Sequence, residues 1–440
     1  MQLYSTGKKN DTTDFRTAVK QGLAPDGGLY MPATLPRMPA SFWQDLSGDP
    51  LAVKARKLFD VLLSDDFTVG ERNEIATGAF TFAAPVVSLN DRIHILELFH
   101  GPTLAFKDFG ARTMAAMMSV FARQEKEKIT IITATSGDTG AAVAQGFHGA
   151  PGVEVYVLYP SGQVSPLQEK QFTTLGDNIT ALEVDGTFDD CQRLVKACFA
   201  DPKIRSHKQL TTANSINIAR LLPQMVYYIH AAVELQARLD GERSRNGQSV
   251  RIVCSVPSGN FGNLTAGLMA LKMGLPVSRF IAATNVNHVV PDYLDSGKFQ
   301  PKSSLRTISN AMDVGNPSNF DRMLDLYDQD QNAMSRDITG AWYDDDQTRA
   351  AIVQVWNSHR YVMDPHTAVG YLGCREHLSD GEQGLILATA HPAKFPETMD
   401  KLLPGVVETP KRLVEITTRE KKSVPVPAEL DAVRDALLKN

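Results

Sequence analysis

Apolar positions along this chain switch repeatedly between the unbroken or alternating runs of strands and the three-to-four spacing of helices. Ile93–Phe99 is apolar apart from His94 and Glu97 and reads as a strand. Pro102 and Thr103 suit a helix start, and a helix running to about Phe121 puts Lys107 on one stripe with Gly110, Ala111, Met114 and Met118. Asp108 and Arg112, four apart, fall on the other side as an exposed pair. Further on, Ile129–Ala134 is a strand, 135–140 a loop, Ala141–Phe147 a helix and Val153–Tyr159 a strand. Thr187–Ala200 is an amphipathic helix, with Thr187 as N-cap and Asp190 near a capping-box position. Ile216–Ala237 is helical, and the polar, charged Asp240–Gln248 is the best linker. Val250–Val256 is then a strand, 257–263 a glycine-bearing loop, Leu264–Met273 a helix, and Phe280–Thr284 and Gly384–Ala390 strands.

Such alternation argues for parallel sheets with helices on both faces, and for ligands in the crevice beyond the carboxyl ends of the strands. The N-terminal stretch differs. Turn-rich pieces such as Ala24-Pro25-Asp26-Gly27-Gly28 and a short helical run around Ala52–Leu63 read as a small domain capping the remainder of the chain. A chain of 440 residues has room for two or three such domains.

Composition narrows the class without naming a function. Charged residues make up 22% and hydrophobic ones 43%, ordinary for a globular protein. The net charge of -5 gives no general reason to bind nucleic acid or acidic membranes. No apolar run reaches the roughly 18 residues of a membrane span. The opening Met1-Gln2-Leu3-Tyr4-Ser5-Thr6 lacks a basic region followed by an apolar core, so a cytoplasmic protein is expected. Cys191, Cys198, Cys254 and Cys374 form no CxxC and read as buried apolar thiols, and the histidines show no metal-ligand spacing.

Chemistry enters with Lys107. An ammonium on an apolar stripe is costly to bury and sheds its proton more easily than the ordinary value near 10.4 suggests. Such an amine suits Schiff-base chemistry with an aldehyde cofactor; the competing reading is a lysine whose head snorkels to solvent. Three loops at strand ends join it. In Pro257-Ser258-Gly259-Asn260-Phe261-Gly262-Asn263, two glycines three apart let backbone amides face an anion at a helix start, or serve the turn alone. No lysine follows as in a P-loop, and the spacing is not GxGxxG. Thr135-Ser136-Gly137-Asp138-Thr139-Gly140 offers hydroxyls and amides for a carboxylate or phosphate, or simply caps a helix. Thr389 adds a hydroxyl at a strand end, with His391 and Lys394 close by. Taken together, an inward lysine, two anion loops and a hydroxyl describe a pyridoxal phosphate site.

Several segments carry a more specific resemblance. Gly22–Tyr30, His100–Gly110 (HGPTLAFKDFG), Ser136–Gly140, Ser258–Asn263 and Met363-Asp364-Pro365-His366-Thr367-Ala368 together resemble the threonine synthases, a branch of the fold-type II pyridoxal phosphate enzymes. The resemblance implies two doubly wound parallel-sheet domains of the tryptophan synthase β-like class plus a small N-terminal α/β domain. The expected division is 1–92 for the small domain, 93–111 with 226–440 for the large cofactor domain, and 112–225 for the smaller one. It implies conversion of O-phospho-L-homoserine and water to L-threonine and phosphate by β,γ-elimination and β-addition. Lys107 would hold the cofactor and shuttle protons. Ser258, Gly259, Asn260, Phe261, Gly262 and Asn263 would hold its phosphate, and Thr389 would face its ring nitrogen. Ser136, Gly137, Asp138 and Thr139 would receive the substrate carboxylate; Asp138 stands where many fold-type II relatives carry Asn. Ser165, Lys170, Asn217 and Arg220 are the candidates for the substrate phosphate.

Other readings remain open. A threonine or serine dehydratase of the same fold needs no second phosphate pocket, and a catalytically silent relative would bind a ligand without turning it over. A nicotinamide dehydrogenase needs a GxGxxG after the first strand, which is missing. No metal is expected. Monomer and homodimer are both open, with no nucleic-acid or membrane partner.

Overall fold

Two parallel sheets organise the protein, as the alternation of strands and helices leads one to expect. A computed structural model describes residues 1–126, 128–243 and 250–439. The larger sheet runs in the order Ile338–Trp342, Arg279–Thr284, Arg251–Pro257, Glu382–Ala388, Ile93–Glu97, Val86–Ser88. All neighbours are parallel except the edge strand Val86–Ser88. The smaller sheet runs Val424–Pro427, Ile179–Asp185, Val153–Pro160, Ile129–Ala134, Gln209–Thr211, parallel throughout. Central strands such as Ile129–Ala134 and Glu382–Ala388 are buried at every residue, because helices cover both faces. A three-stranded antiparallel sheet, Lys8–Asp14, Gln2–Ser5 and Tyr30–Pro32, forms the N-terminal part.

Several boundaries differ from those the sequence suggests. The helix holding Lys107 begins at that residue and runs Lys107–Glu125, not from Pro102. Leu104 takes a left-handed backbone and Ala105 bridges to Ala390, so the preceding residues form a turn. Asp108 and Arg112 are not an exposed pair. Asp108 is buried and accepts bonds from Thr103, while Arg112 donates to the carbonyls of Gly78 and Ala79. A domain border at 111/112 would cut through this helix. The C-terminal stretch belongs with the smaller sheet, not the larger one: Val424–Pro427 pairs with Ile179–Asp185, and Val433 and Leu437 pack against Leu194 and Cys198.

The helical stretch expected over Ile216–Ala237 is broken at Pro223 into Ile218–Leu221, a 3-10 turn Leu222–Gln224, and Met225–Arg243. That last helix absorbs the start of the expected linker, and 244–248 lie outside the described residues. The capping box at Thr187 forms as expected: its N–H donates to Asp190 at 2.9 Å, and the Asp190 N–H donates back at 3.2 Å. All four cysteines are buried and free. No helix among the described residues is long and apolar enough to cross a membrane.

Candidate active site

The chain reaches Lys107 through a turn locked against the end of a buried strand. The Phe106 N–H donates to the Thr389 carbonyl at 2.9 Å, and the His391 N–H donates to the Leu104 carbonyl at 3.0 Å. Asp108 accepts from the Thr103 N–H and hydroxyl at 2.8 and 2.7 Å. These bonds hold Lys107, the first residue of its helix, beside Thr389 at the carboxyl end of Glu382–Ala388. Both line a cavity of about 1810 Å³. Burial pushes the Lys107 amine down to about 8; the Lys394 and Arg220 cations push the same way, and the Asp138 carboxylate opposes them. Thr389 is nearly buried, and no bond claims its hydroxyl among the described residues.

The glycine-bearing loop lies on the same cavity. Ser258 is tied back to the sheet: its N–H donates to Ala283 at 2.8 Å and its hydroxyl to Val256 at 2.9 Å. The Ser258 hydroxyl is therefore not free for a phosphate, contrary to the expectation. The N–H groups of Gly259, Asn260 and Phe261 have no protein acceptor among the described residues. Phe261 holds a left-handed backbone at φ 58° and ψ 5°, at the N-terminus of the helix Gly262–Lys272. A non-glycine residue there carries strain of about 1–2 kcal/mol, the kind that persists where surrounding contacts fix it for function. Successive amides in such a bend converge into an anion nest at the positive end of the helix.

Side chains fix the loop from behind. Asn260 donates to Ser215 at 2.6 Å and accepts from the Ser318 N–H at 2.6 Å. Tyr227 and Tyr228 donate to the Asn263 amide oxygen at 2.6 and 2.8 Å. The Asn263 Nδ2 is left buried without a partner. An orphaned buried donor on the cavity is costly unless an acceptor arrives, and a phosphate supplies one. The residues present therefore fit pyridoxal phosphate: an amine for its aldehyde, free amides for its phosphate and a hydroxyl for its ring.

The Ser136 loop is less open than the sequence suggests. The Gly137 N–H is spent on the Thr135 hydroxyl at 2.9 Å, while Ser136, Asp138 and Thr139 reach the cavity. Asp138 forms an ion pair with Lys394 at 2.6 Å and accepts from Gln168 Nε2 at 2.9 Å. Despite burial, Lys394 and Lys107 hold its carboxyl well below the usual range. An ionised carboxylate repels a second one, so the Asp138 side chain is a poor partner for an anion; the donors left here are the Ser136 and Thr139 hydroxyls and the free amides of the helix's first turn.

Of the four residues expected to hold the substrate phosphate, Arg220 alone lines the cavity. Ser165 caps the helix Pro166–Thr173. Lys170 donates to the carbonyls of Thr417 and Arg419. Asn217 is fully buried, giving its amide to Val19 and Thr212 and accepting from Ala219. Arg220 is nearly buried, its Nε lacks a partner, and burial pushes its guanidinium down to about 10.

Sequence reading missed the groups that hold these pieces together. Gln168 lies between Ser165 and Lys170, two of the candidates for the substrate phosphate. Lys394 is noticed only as a neighbour of Thr389. His366, within a motif that looked only like a family match, takes the Ala311 N–H on Nε2 at 3.2 Å and pairs through Nδ1 with buried Asp364 at 2.6 Å. It thereby pins segment 310–313 against Gly259, where a β-carbon would meet the Ala311 carbonyl at 2.7 Å.

Comparisons with known proteins agree with this geometry. The family described as "Pyridoxal-phosphate dependent enzyme" matches residues 82–389, "Threonine synthase N terminus" matches 2–80, and "Threonine synthase, C-terminal" matches 367–437. The chain is similar to threonine synthase of Escherichia coli (strain K12), 43% identical over 438 residues, covering 100% of this chain and 99% of the relative. It is also 43% identical over 413 residues to threonine synthase of Haemophilus influenzae, covering 94% of each. Among solved structures, threonine synthase from Escherichia coli superimposes with a TM-score of 0.90 at 42% identity, covering 100% of both chains. The pyridoxal-phosphate-bound threonine synthase from Brucella melitensis gives 0.91 at 33% identity, covering 99% of this chain and 98% of that one. A threonine deaminase from Solanum lycopersicum, 15% identical with a TM-score of 0.52, shares the fold alone, and the near full-length threonine synthase matches do not favour the dehydratase reading.

Proposed function

This chain belongs to the pyridoxal-phosphate-dependent threonine synthase family, and on that premise we propose that it converts O-phospho-L-homoserine and water to L-threonine and phosphate. The observation that carries the assignment of residues is the meeting on one cavity of Lys107, with its amine pushed down to about 8, and a loop with free amides and an unpartnered Asn263 donor. When bound, pyridoxal phosphate supplies an aldehyde that bonds an amine and a ring that spreads the charge left by a departing proton.

The protein residues then divide the work. Gly259, Asn260, Phe261, Gly262 and Asn263 hold the cofactor phosphate through backbone amides and the Asn263 side chain. Thr389 offers a neutral hydroxyl to the ring nitrogen. Ser136 and Thr139 orient the substrate carboxylate at the start of the helix Asp138–Phe147. Arg220 receives the substrate phosphate, its buried guanidinium pre-shaped for two parallel bonds. Lys107, one mobile amine facing one cavity, takes protons from the α and β carbons and returns them at γ, as phosphate leaves, and at α, once water has added its hydroxyl at β. An amine near 8 suits this, because both of its protonation states are populated near neutral pH. The enzyme is expected to work in the cytoplasm, as a monomer or homodimer, without nucleic-acid or membrane partners.

The test is to supply phosphohomoserine to the purified, cofactor-loaded protein and follow both products. Threonine and phosphate should appear in equal amounts, and Lys107→Ala should abolish both together with the visible Schiff-base absorbance that borohydride removes from the wild type. Phosphate release without threonine would refute the assignment.

A further inference from the structure

We propose that Lys394 is a positioning residue of this site: held by the Thr103 carbonyl, its ammonium pins the Asp138 carboxylate on the cavity that Lys107 also lines. This rests on the reading of Lys107 as the cofactor lysine. Lys394 ends the 3-10 turn Pro392–Lys394, just past Thr389, and is 3% exposed. Its Nζ lies 2.6 Å from Asp138 Oδ1 and donates to the Thr103 carbonyl at 2.9 Å. Gln168 Nε2 completes the grip on the same oxygen at 2.9 Å. Thr103 in turn is fastened to Asp108, next to Lys107. Lys394 does not line the cavity, so it acts through Asp138 and not on a ligand.

A second buried ammonium is costly, and the anion it meets is already favoured without it. Asp138 opens a helix, where first-turn amides already favour an anion. What the ammonium adds is charge balance. Lys107 is faced by Asp138 from the helix Asp138–Phe147, by Lys394 from the turn after Thr389, and by Arg220 from the helix Ile218–Leu221. Asp138 is faced by both lysines and by Gln168. Asp108, behind Lys107, is faced by Lys394 and Arg112, and Arg220 and Arg412 feel its charge in turn. Lys394 favours a neutral group at Lys107, and Asp138 favours a charged one. Removing either must therefore shift the site in opposite directions.

The experiment is a pH titration of the visible absorbance of the full-length, pyridoxal-phosphate-loaded protein. Lys394→Met is expected to raise the midpoint by about one unit, and Asp138→Asn to lower it by about as much. The double variant should return close to the wild type, and Lys394→Arg, which keeps the charge, should stay there. A merely structural role would weaken loading or thermal stability without this pattern of signs. If Lys394→Met fails to fold, Asp138→Asn and the double variant suffice: the double must lie above the single. A midpoint that stays or falls in Lys394→Met, or a double variant that matches Asp138→Asn, overturns the proposal. Absence from the wild type of any visible absorbance that borohydride abolishes would overturn the cofactor reading instead.

Discussion

Replacing Gly259 by alanine would wedge the phosphate loop away from the segment behind it. The added methyl would stand 2.7 Å from both the Ala311 carbonyl oxygen and the Met312 Cα, whereas ordinary contact begins at 3.4 Å. Neither neighbour gives easily. Both are backbone atoms, and the Ala311 N–H is fastened to His366, itself fastened to Asp364. Overpacking of this kind costs about 1–3 kcal/mol. If the strain is relieved by moving the loop, it is drawn from cofactor binding, where about 1.4 kcal/mol is tenfold. Affinity for pyridoxal phosphate should then fall by about five- to 150-fold. Titrating cofactor-depleted protein by absorbance measures this directly. Gly78→Ala is the control: it lies in the helix Val69–Ala79 with nothing within 4 Å, so it should bind normally and gain up to about 1 kcal/mol of stability. Unchanged affinity in Gly259→Ala would refute the claim that this close approach shapes the site.

Two further outcomes rest on single atoms. Asn263→Asp keeps the oxygen that Tyr227 and Tyr228 bond but replaces the orphaned donor by an acceptor. Cofactor affinity should fall by about a hundredfold or more, and the unpartnered buried oxygen should also lower the thermal midpoint of the cofactor-free chain; equal affinity would sink the phosphate assignment. Lys107→Met removes an amine whose folded value, about 8, lies below its ordinary 10.5. The folded state sheds that proton sooner, so the protonated amine costs stability below about 8, and the cost fades as pH rises toward 10.5. Cofactor-free Lys107→Met should exceed the wild type at neutral pH by up to about 3 kcal/mol, less as far as cavity water reaches the amine. Urea unfolding at neutral and strongly alkaline pH checks this, and a gap that does not narrow would count against a buried amine.

What sequence revealed best was periodic and local. Strands buried on both faces gave unbroken apolar runs, and Thr187 with Asp190 sat in the spacing that closes a capping box. The Lys107 stripe was legible because burial of one helix face leaves a regular trace. Its start was not, because Leu104, Ala105 and Phe106 are held by contacts with His391, Ala390 and Thr389, far away in the chain. Asp108 misled for the same reason: a buried carboxylate satisfied by a turn looks, in sequence, like half of a surface pair. Polar residues near the site were the hardest to sort. Asn217 and Arg220 stand three apart, yet one is spent on a helix cap and the other opens on the cavity. Nothing in spacing distinguishes those fates, since each is decided by which distant carbonyl lies within reach.

The strand Val424–Pro427 has a consequence for how the protein is made. It lies along Ile179–Asp185, at the rim of a sheet whose other members are drawn from 129–211. While the ribosome is still working through the intervening residues, that rim shows a bare row of amides and carbonyls to any neighbouring chain. Premature termination ahead of Val424 would leave the row bare for good, and such fragments should aggregate even where their catalytic residues are all present.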